Sequence, residues 1–203
     1  MHFSETKGSV DMTHTTAAQV VTVDVEYEAF IARLAKDKDT RTISNSSPSH
    51  ALSILRNVFR SAQEYVKLFS GSLSTNVYND ETLIHEMKKF VNDRSGKVSV
   101  LVQSPDRLNQ DAENEFLAQL LTLKSTERVE VKEVLEENIL KDADVHFLVS
   151  DDRIYRIEVD IVKNTAVGSF NDNQRAVQLR DIFDKAIKDN ARLYEPVPQP
   201  ALA

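Results

Sequence analysis

Asp144-Val-His146-Phe-Leu-Val-Ser-Asp151-Asp152-Arg-Ile-Tyr-Arg156-Ile-Glu158-Val-Asp160 reads as two β-strands joined by a turn. Strands are expected over residues 145–150 and 153–162. Aspartate tolerates turn geometry and hydrogen-bonds its own backbone, so Asp151-Asp152 is most simply the turn. Successive side chains of a strand point to opposite faces. In the second strand, Tyr155, Ile157, Val159 and Ile161 therefore take one face, and Ile154, Arg156, Glu158 and Asp160 the other. His146, on the neighbouring strand, can meet that polar row.

Outward from this hairpin the chain has two characters. Downstream, residues 165–170 form a third strand with no helix before it, and Asn171-Asp172-Asn173 caps a last helix carrying Ala176, Leu179, Ile182, Phe183, Ala186 and Ile187. Upstream, strands and helices alternate. Residues 20–25 and 40–44 are strand candidates, and Tyr27 to Lys36 has helical spacing. Ser47-Pro48 is the clearest helix start, a hydroxyl cap followed by proline at the first helical position. That helix carries an apolar stripe from Ala51 to Val66. A strand over residues 66–70 ends at Gly71-Ser72, and residues 73–79 read as a loop. A helix over residues 80–93, stopped by Ser95-Gly96, and a strand over residues 97–102 follow. Next come a helix over residues 113–123, a half-exposed strand over residues 128–134 and an acidic connector over residues 135–143. Such an order implies an α/β domain with a mixed β-sheet flanked by helices. The expected organisation is a flexible tail over residues 1–18, one domain over residues 19–192 and a Pro-rich tail over residues 193–203.

The chain has 203 residues, 41% hydrophobic and 28% charged, enough to bury a core. It has no cysteine, which excludes disulfides, a thiol nucleophile and thiolate metal sites. The net charge of −7 does not favour nucleic acid as a partner. No apolar run approaches the ~20 residues of a membrane span, and the first residues lack the apolar core of a signal peptide. The expected location is the cytoplasm, with no membrane contact.

The order of elements resembles the phospholipase-D-like fold over roughly residues 40–190. That family carries the signature H-x-K-x4-D on a late strand. Phe147-Leu-Val-Ser-Asp151 is similar to its closing apolar run and Asp. The family's Lys position then falls on His146 and its His position on Asp144, giving Asp144-x-His146-x4-Asp151. In the family the histidine is the nucleophile, the lysine neutralises phosphate charge and the aspartate orients the motif. An aspartate cannot replace that imidazole, and histidine is a weaker, pH-dependent cation than lysine. Glu158-Val159 stands about where the family has Gly-Ser; Gly168-Ser169 lies too far downstream to take that role. The resemblance also implies self-association, since family enzymes pair two motifs.

Each candidate residue has a plainer reading beside the functional one. His146, Arg156, Glu158 and Asp160 form a ligand pocket in which the cations hold an anion or Glu158 acts as a base, or a solvated sheet face with charge pairing between strands. His146, Glu158 and Asp160 as metal ligands match no recognised spacing, so no metal and no cofactor is expected. Ser47 offers a phosphate contact at a helix N-terminus or simply a cap. His50 reads as a surface histidine, and Lys88-Lys89 with Arg94 as a small basic patch. Two functions follow. The first is a catalytically silent phospholipase-D-like binding or regulatory module that engages a protein partner or a small anionic ligand, with residues 73–78 as one possible self-association contact. The second is a phosphodiesterase or nuclease with an altered site, using His146, Glu158 and Asp151 and set by analogy in a defence system.

Overall fold

The computed structural model describes residues 21–106, 114–161, 163 and 165–196; the expected tail over residues 1–18 lies outside them. The order is α1 (Val25–Asp37), β1 (Ile43–Asn45), α2 (Pro48–Ser61), β2 (Tyr65–Ser70), α3 (Thr75–Tyr78), α4 (Glu81–Asn92) and β3 (Lys97–Val102). It continues with α5 (Glu115–Leu123), β4 (Val129–Val134), β5 (Phe147–Ser150), β6 (Ile154–Asp160), β7 (Thr165–Ser169), α6 (Asn173–Lys188) and β8 (Ala191–Leu193).

One eight-stranded mixed sheet runs in the order β1-β7-β6-β5-β2-β3-β4-β8. Strands β2, β3 and β4 are parallel, and every other pair is antiparallel. This is the mixed α/β architecture expected from strand–helix alternation followed by a run of strands. Alternation along β2 sends Val66 and Leu68 into the larger core with α1, α2, α4 and α5, and Phe69 into the smaller core under α6. Along β6, Ile154 belongs to the larger core and Tyr155 to the α6 side. Three layers result, with the sheet in the middle.

Helix α2 begins as the sequence indicates: the Ser47 side chain accepts from His50 N, and Pro48 takes the first helical position. It ends earlier than its apolar stripe implied. Tyr65 and Val66 belong to β2, because the last carbonyls of α2 are taken by two arginines. Arg94 donates to the carbonyls of Phe59, Arg60 and Ala62, and Arg153 to that of Ser61. Their charge also suits the negative end of a helix. Arg94 therefore caps a helix end and shares no patch with Lys88, which donates to Gln119.

Two further local expectations are overturned. Residues 21–24 are not a strand: Asp24 accepts from Tyr27 N and caps α1, so Val25 is helical. Residues 75–78 are a helical turn, not a loop. Leu73 and Tyr78 are buried in the domain's own core, and Val77 between them is half-buried. Strand β8 escaped detection because three residues carry no periodicity.

Candidate functional site

The hairpin at the head of the sequence forms as read. Residues 147–150 pair with residues 154–157, and Arg153 N donates to Ser150 O around a turn in which Asp151 and Asp152 have φ of 52° and 54°. The ladder continues past β5, with Glu158 N donating to His146 O at 2.8 Å. Glu158 and His146 are thus directly opposed across two strands and share a face. Their side chains meet, Nδ1 of His146 lying 2.9 Å from Oε2 of Glu158.

Arg156, two residues earlier on β6, lies on the same face. Its Nη1 donates to Oε1 of Glu158 at 3.0 Å, and its Nε to Oδ1 of Asn45 on β1. It is only 5% exposed, so the solvated-face reading of this row fails. Gly168, the partner of Arg156 on β7, leaves room for the β6 backbone: a Cβ there would come within 2.6 Å of the Tyr155 carbonyl and 3.3 Å of Arg156 Cα. Gly71 does the same for the imidazole. A Cβ on it would lie 2.9 Å from both Cε1 and Nε2 of His146. The other edge of that ring meets Phe69 at 5.9 Å between centroids.

These groups floor a cleft of about 260 Å³. Pro48, Ala51 and Leu55 of α2 form one wall; Gly71, Ser72, Ser74, Val77 and Tyr78 after β2 form another. It opens at the carboxyl end of β2, between the parallel half of the sheet and its antiparallel half. Open α/β sheets place ligands at such strand ends.

The electrostatics follow from this packing. Burial alone would raise the Glu158 carboxyl, but the hydrogen bond from His146 and the charge and hydrogen bond of Arg156 outweigh it and hold the group below its ordinary value. Glu158 is therefore an anion that offsets Arg156. The Tyr78 phenol is pushed well up by burial and by the nearby Glu158 charge, against smaller opposing effects of Arg156 and a Ser70 hydrogen bond. It stays a neutral donor. Nδ1 of His146 is engaged by Glu158, while Nε2 lies beside Gly71 in the cleft lining.

The remaining candidates lie elsewhere. Asp151 is at the far end of the hairpin, where its carboxylate accepts from the backbone N–H groups of Gln63, Glu64 and Tyr65 at 2.8, 3.0 and 3.1 Å. It fixes the α2–β2 connection and touches nothing in the cleft. Asp160 leaves the polar row because a bulge between Glu158 and Asp160 breaks the alternation. It holds Lys163 instead. Ser47 is spent on its cap and on Ser49 Oγ. Asp144, at the position of the family nucleophile, is exposed. His50 is not a lone surface residue: it stacks on Tyr27 at 3.8 Å and lies 3.6 Å from Asp24. Among the described residues, no three His, Cys, Asp or Glu side chains gather to hold a metal. Sequence reading missed the places of Ser70 and Tyr78 in the cleft and the contact of Asn45 with Arg156; Gly71, breaking the chain after β2, left a visible signal.

Residues 47–192 match the sequence model of a family described as a domain of unknown function, DUF7931. The chain belongs to that family. No curated protein matches it. The DUF7931 fold is similar to that of TrmBL2, an archaeal chromatin protein, with a TM-score of 0.56 and 14% identity over 83% of this chain and 61% of that one. It is similar to polyphosphate kinase from Porphyromonas gingivalis, with a TM-score of 0.52 and 13% identity over 81% of this chain and 27% of that one. For phosphatidylserine synthase from Haemophilus influenzae the TM-score is 0.50 and the identity 10%, over 76% of this chain and 40% of that one. The DUF7931 chain thus spans less than two thirds of each of these proteins. Identities this low speak for the fold alone, and the fold is phospholipase-D-like.

Proposed function

We propose that the chain is a ligand-binding module on a phospholipase-D-like frame, whose cleft holds a small anionic ligand without turning it over. One observation carries this reading: a single half-buried carboxylate, Glu158, ties down both the guanidinium of Arg156 and the imidazole of His146 at the floor of the cleft. Phosphoryl transfer needs positive charge free to meet the charge that builds on the phosphoryl oxygens. Here the guanidinium is already neutralised, and no lysine is among the described residues lining the cleft. In the whole chain no histidine is followed two positions later by lysine. Polar groups facing an apolar wall in a small cleft are what orient a small ligand. The acidic balance of −7 supports a protein as any macromolecular partner, and self-association and a cytoplasmic location belong to the same proposal.

A second reading has its own observation. A carboxylate on Nδ1 of an imidazole, with Nε2 left to a pocket, is the arrangement that orients a catalytic histidine. One assay separates the two. Bis-p-nitrophenyl phosphate and single-stranded DNA are offered to wild type and His146→Ala, with and without divalent metal. DNA is included because TrmBL2 is described as binding it. A binding module gives no turnover above background with either protein. Turnover that disappears in His146→Ala overturns it in favour of the altered phosphodiesterase or nuclease.

A further inference from the structure

Charge balance in the cleft narrows the ligand. Arg156 and Glu158 cancel, being 3.0 Å apart, with the guanidinium buried and the carboxylate half-buried. The remaining charged or titratable groups facing His146 are few. Tyr78 of α3 is neutral and hydrogen-bonded. β2 and the turn after it contribute Ser70 and Gly71, and α2 contributes Pro48 and Ala51, all uncharged. On the segment before His146, Asp144 is exposed to water. The net charge the cleft offers is therefore the charge on the imidazole. An unpaired charge in such a place is strongly disfavoured.

We infer that the cleft selects a ligand with a singly charged oxyanion head and an apolar body, and that its binding draws one proton from solvent onto Nε2 of His146. This rests on the anionic-ligand reading above. With the proton added, Nε2–H becomes a donor to the head while Nδ1–H stays on Glu158, and one positive charge meets one negative charge. A doubly charged head leaves one negative charge uncompensated. The body has an apolar surface to lie against, formed by Ala51 and Leu55 of α2 with Val77 and Ile161. At about 30 Å³ per water, a cleft of about 260 Å³ has room for roughly an aromatic ring and its head group.

Glu158 sets this preference, so Glu158→Gln reverses it. The amide keeps the shape, frees the Arg156 charge and lets a dianion enter. The experiment is calorimetric titration of folded wild type, Glu158→Gln and His146→Asn with benzenesulfonate and with inorganic phosphate. It is run at about pH 8, where inorganic phosphate is mainly a dianion, in two buffers of different ionisation enthalpy, which reports protons taken up. Wild type is expected to prefer benzenesulfonate over phosphate by at least about tenfold, with uptake close to one proton. His146→Asn loses the uptake and most of the affinity. Glu158→Gln gains at least about tenfold for phosphate. Wild-type binding of phosphate as tight as that of benzenesulfonate, or binding without proton uptake, overturns the inference and leaves the anionic-ligand reading standing. If none of the three proteins binds either anion, that reading itself fails.

Discussion

The two ends of the β5–β6 hairpin carry similar residues and do different work. At the turn end, Asp151 has both carboxylate oxygens filled by three backbone N–H groups of the α2–β2 connection, and Asp152 meets Tyr65 and Arg180. All four carboxylate oxygens there accept hydrogen bonds that hold chain segments together. At the open end, Glu158 also holds two partners, but one of them is an imidazole whose second nitrogen lies in a cleft. An acidic residue is scaffold when its acceptor capacity is used up inside the fold. It belongs to a site when its partner still has a group to offer.

The contrast breaks first at the open end. Glu158→Ala takes the carboxylate partner from buried Arg156, whose Nε donates to Asn45, and is expected to cost about 3–5 kcal/mol in urea unfolding. A loss under about 1 kcal/mol would mean that the pair is solvated and the cleft open to water. At the turn end, Asp151→Ala leaves three donors short of an acceptor, for an expected loss of about 2–3 kcal/mol. Its anion binding should be that of wild type, since Asp151 does not line the cleft. His146→Asn is expected to change stability by no more than about 1 kcal/mol, because a hydrogen-bonding group remains opposite Glu158. Anion binding should nonetheless be lost, which separates site from scaffold.

The smallest effect is in pH. Folding lowers the Glu158 carboxyl from its ordinary value of 4.5, so its stabilisation is fully present above that value. As pH falls, the unfolded chain takes up the proton first, and the contribution is lost as pH passes through the folded value. The stability gap between wild type and Glu158→Gln should therefore narrow steadily from about pH 6 to about pH 3 in urea titrations. A gap that stays constant would place the ion pair outside the folding equilibrium.

Much of the frame was legible because period-two alternation and helix caps are local signals. Residues 145–162 announced a hairpin, and alternation put Arg156 and Glu158 on the face His146 reaches. The same rule misplaced Asp160, because a bulge after Glu158 has no signature in sequence. It also offered Asp151 only a turn's role or a place in the altered catalytic site, since its three N–H partners lie more than eighty residues upstream. Tyr78, which enters the cleft through helix packing, and the contact of Asn45 with Arg156, which depends on sheet order, were invisible for the same reason: no local window contains them. Helix α2 was read too long because its end is set by Arg94 and Arg153, distant in sequence, and not by its own apolar stripe.

The most direct test is a histidine-labelled NMR titration of the folded protein with benzenesulfonate. The expected result is a saturable shift of the His146 ring resonances, absent in His146→Asn, with the His85 ring unmoved. Saturable shifts confined to another histidine, or none at any concentration, would contradict a ligand site at the open end of the hairpin.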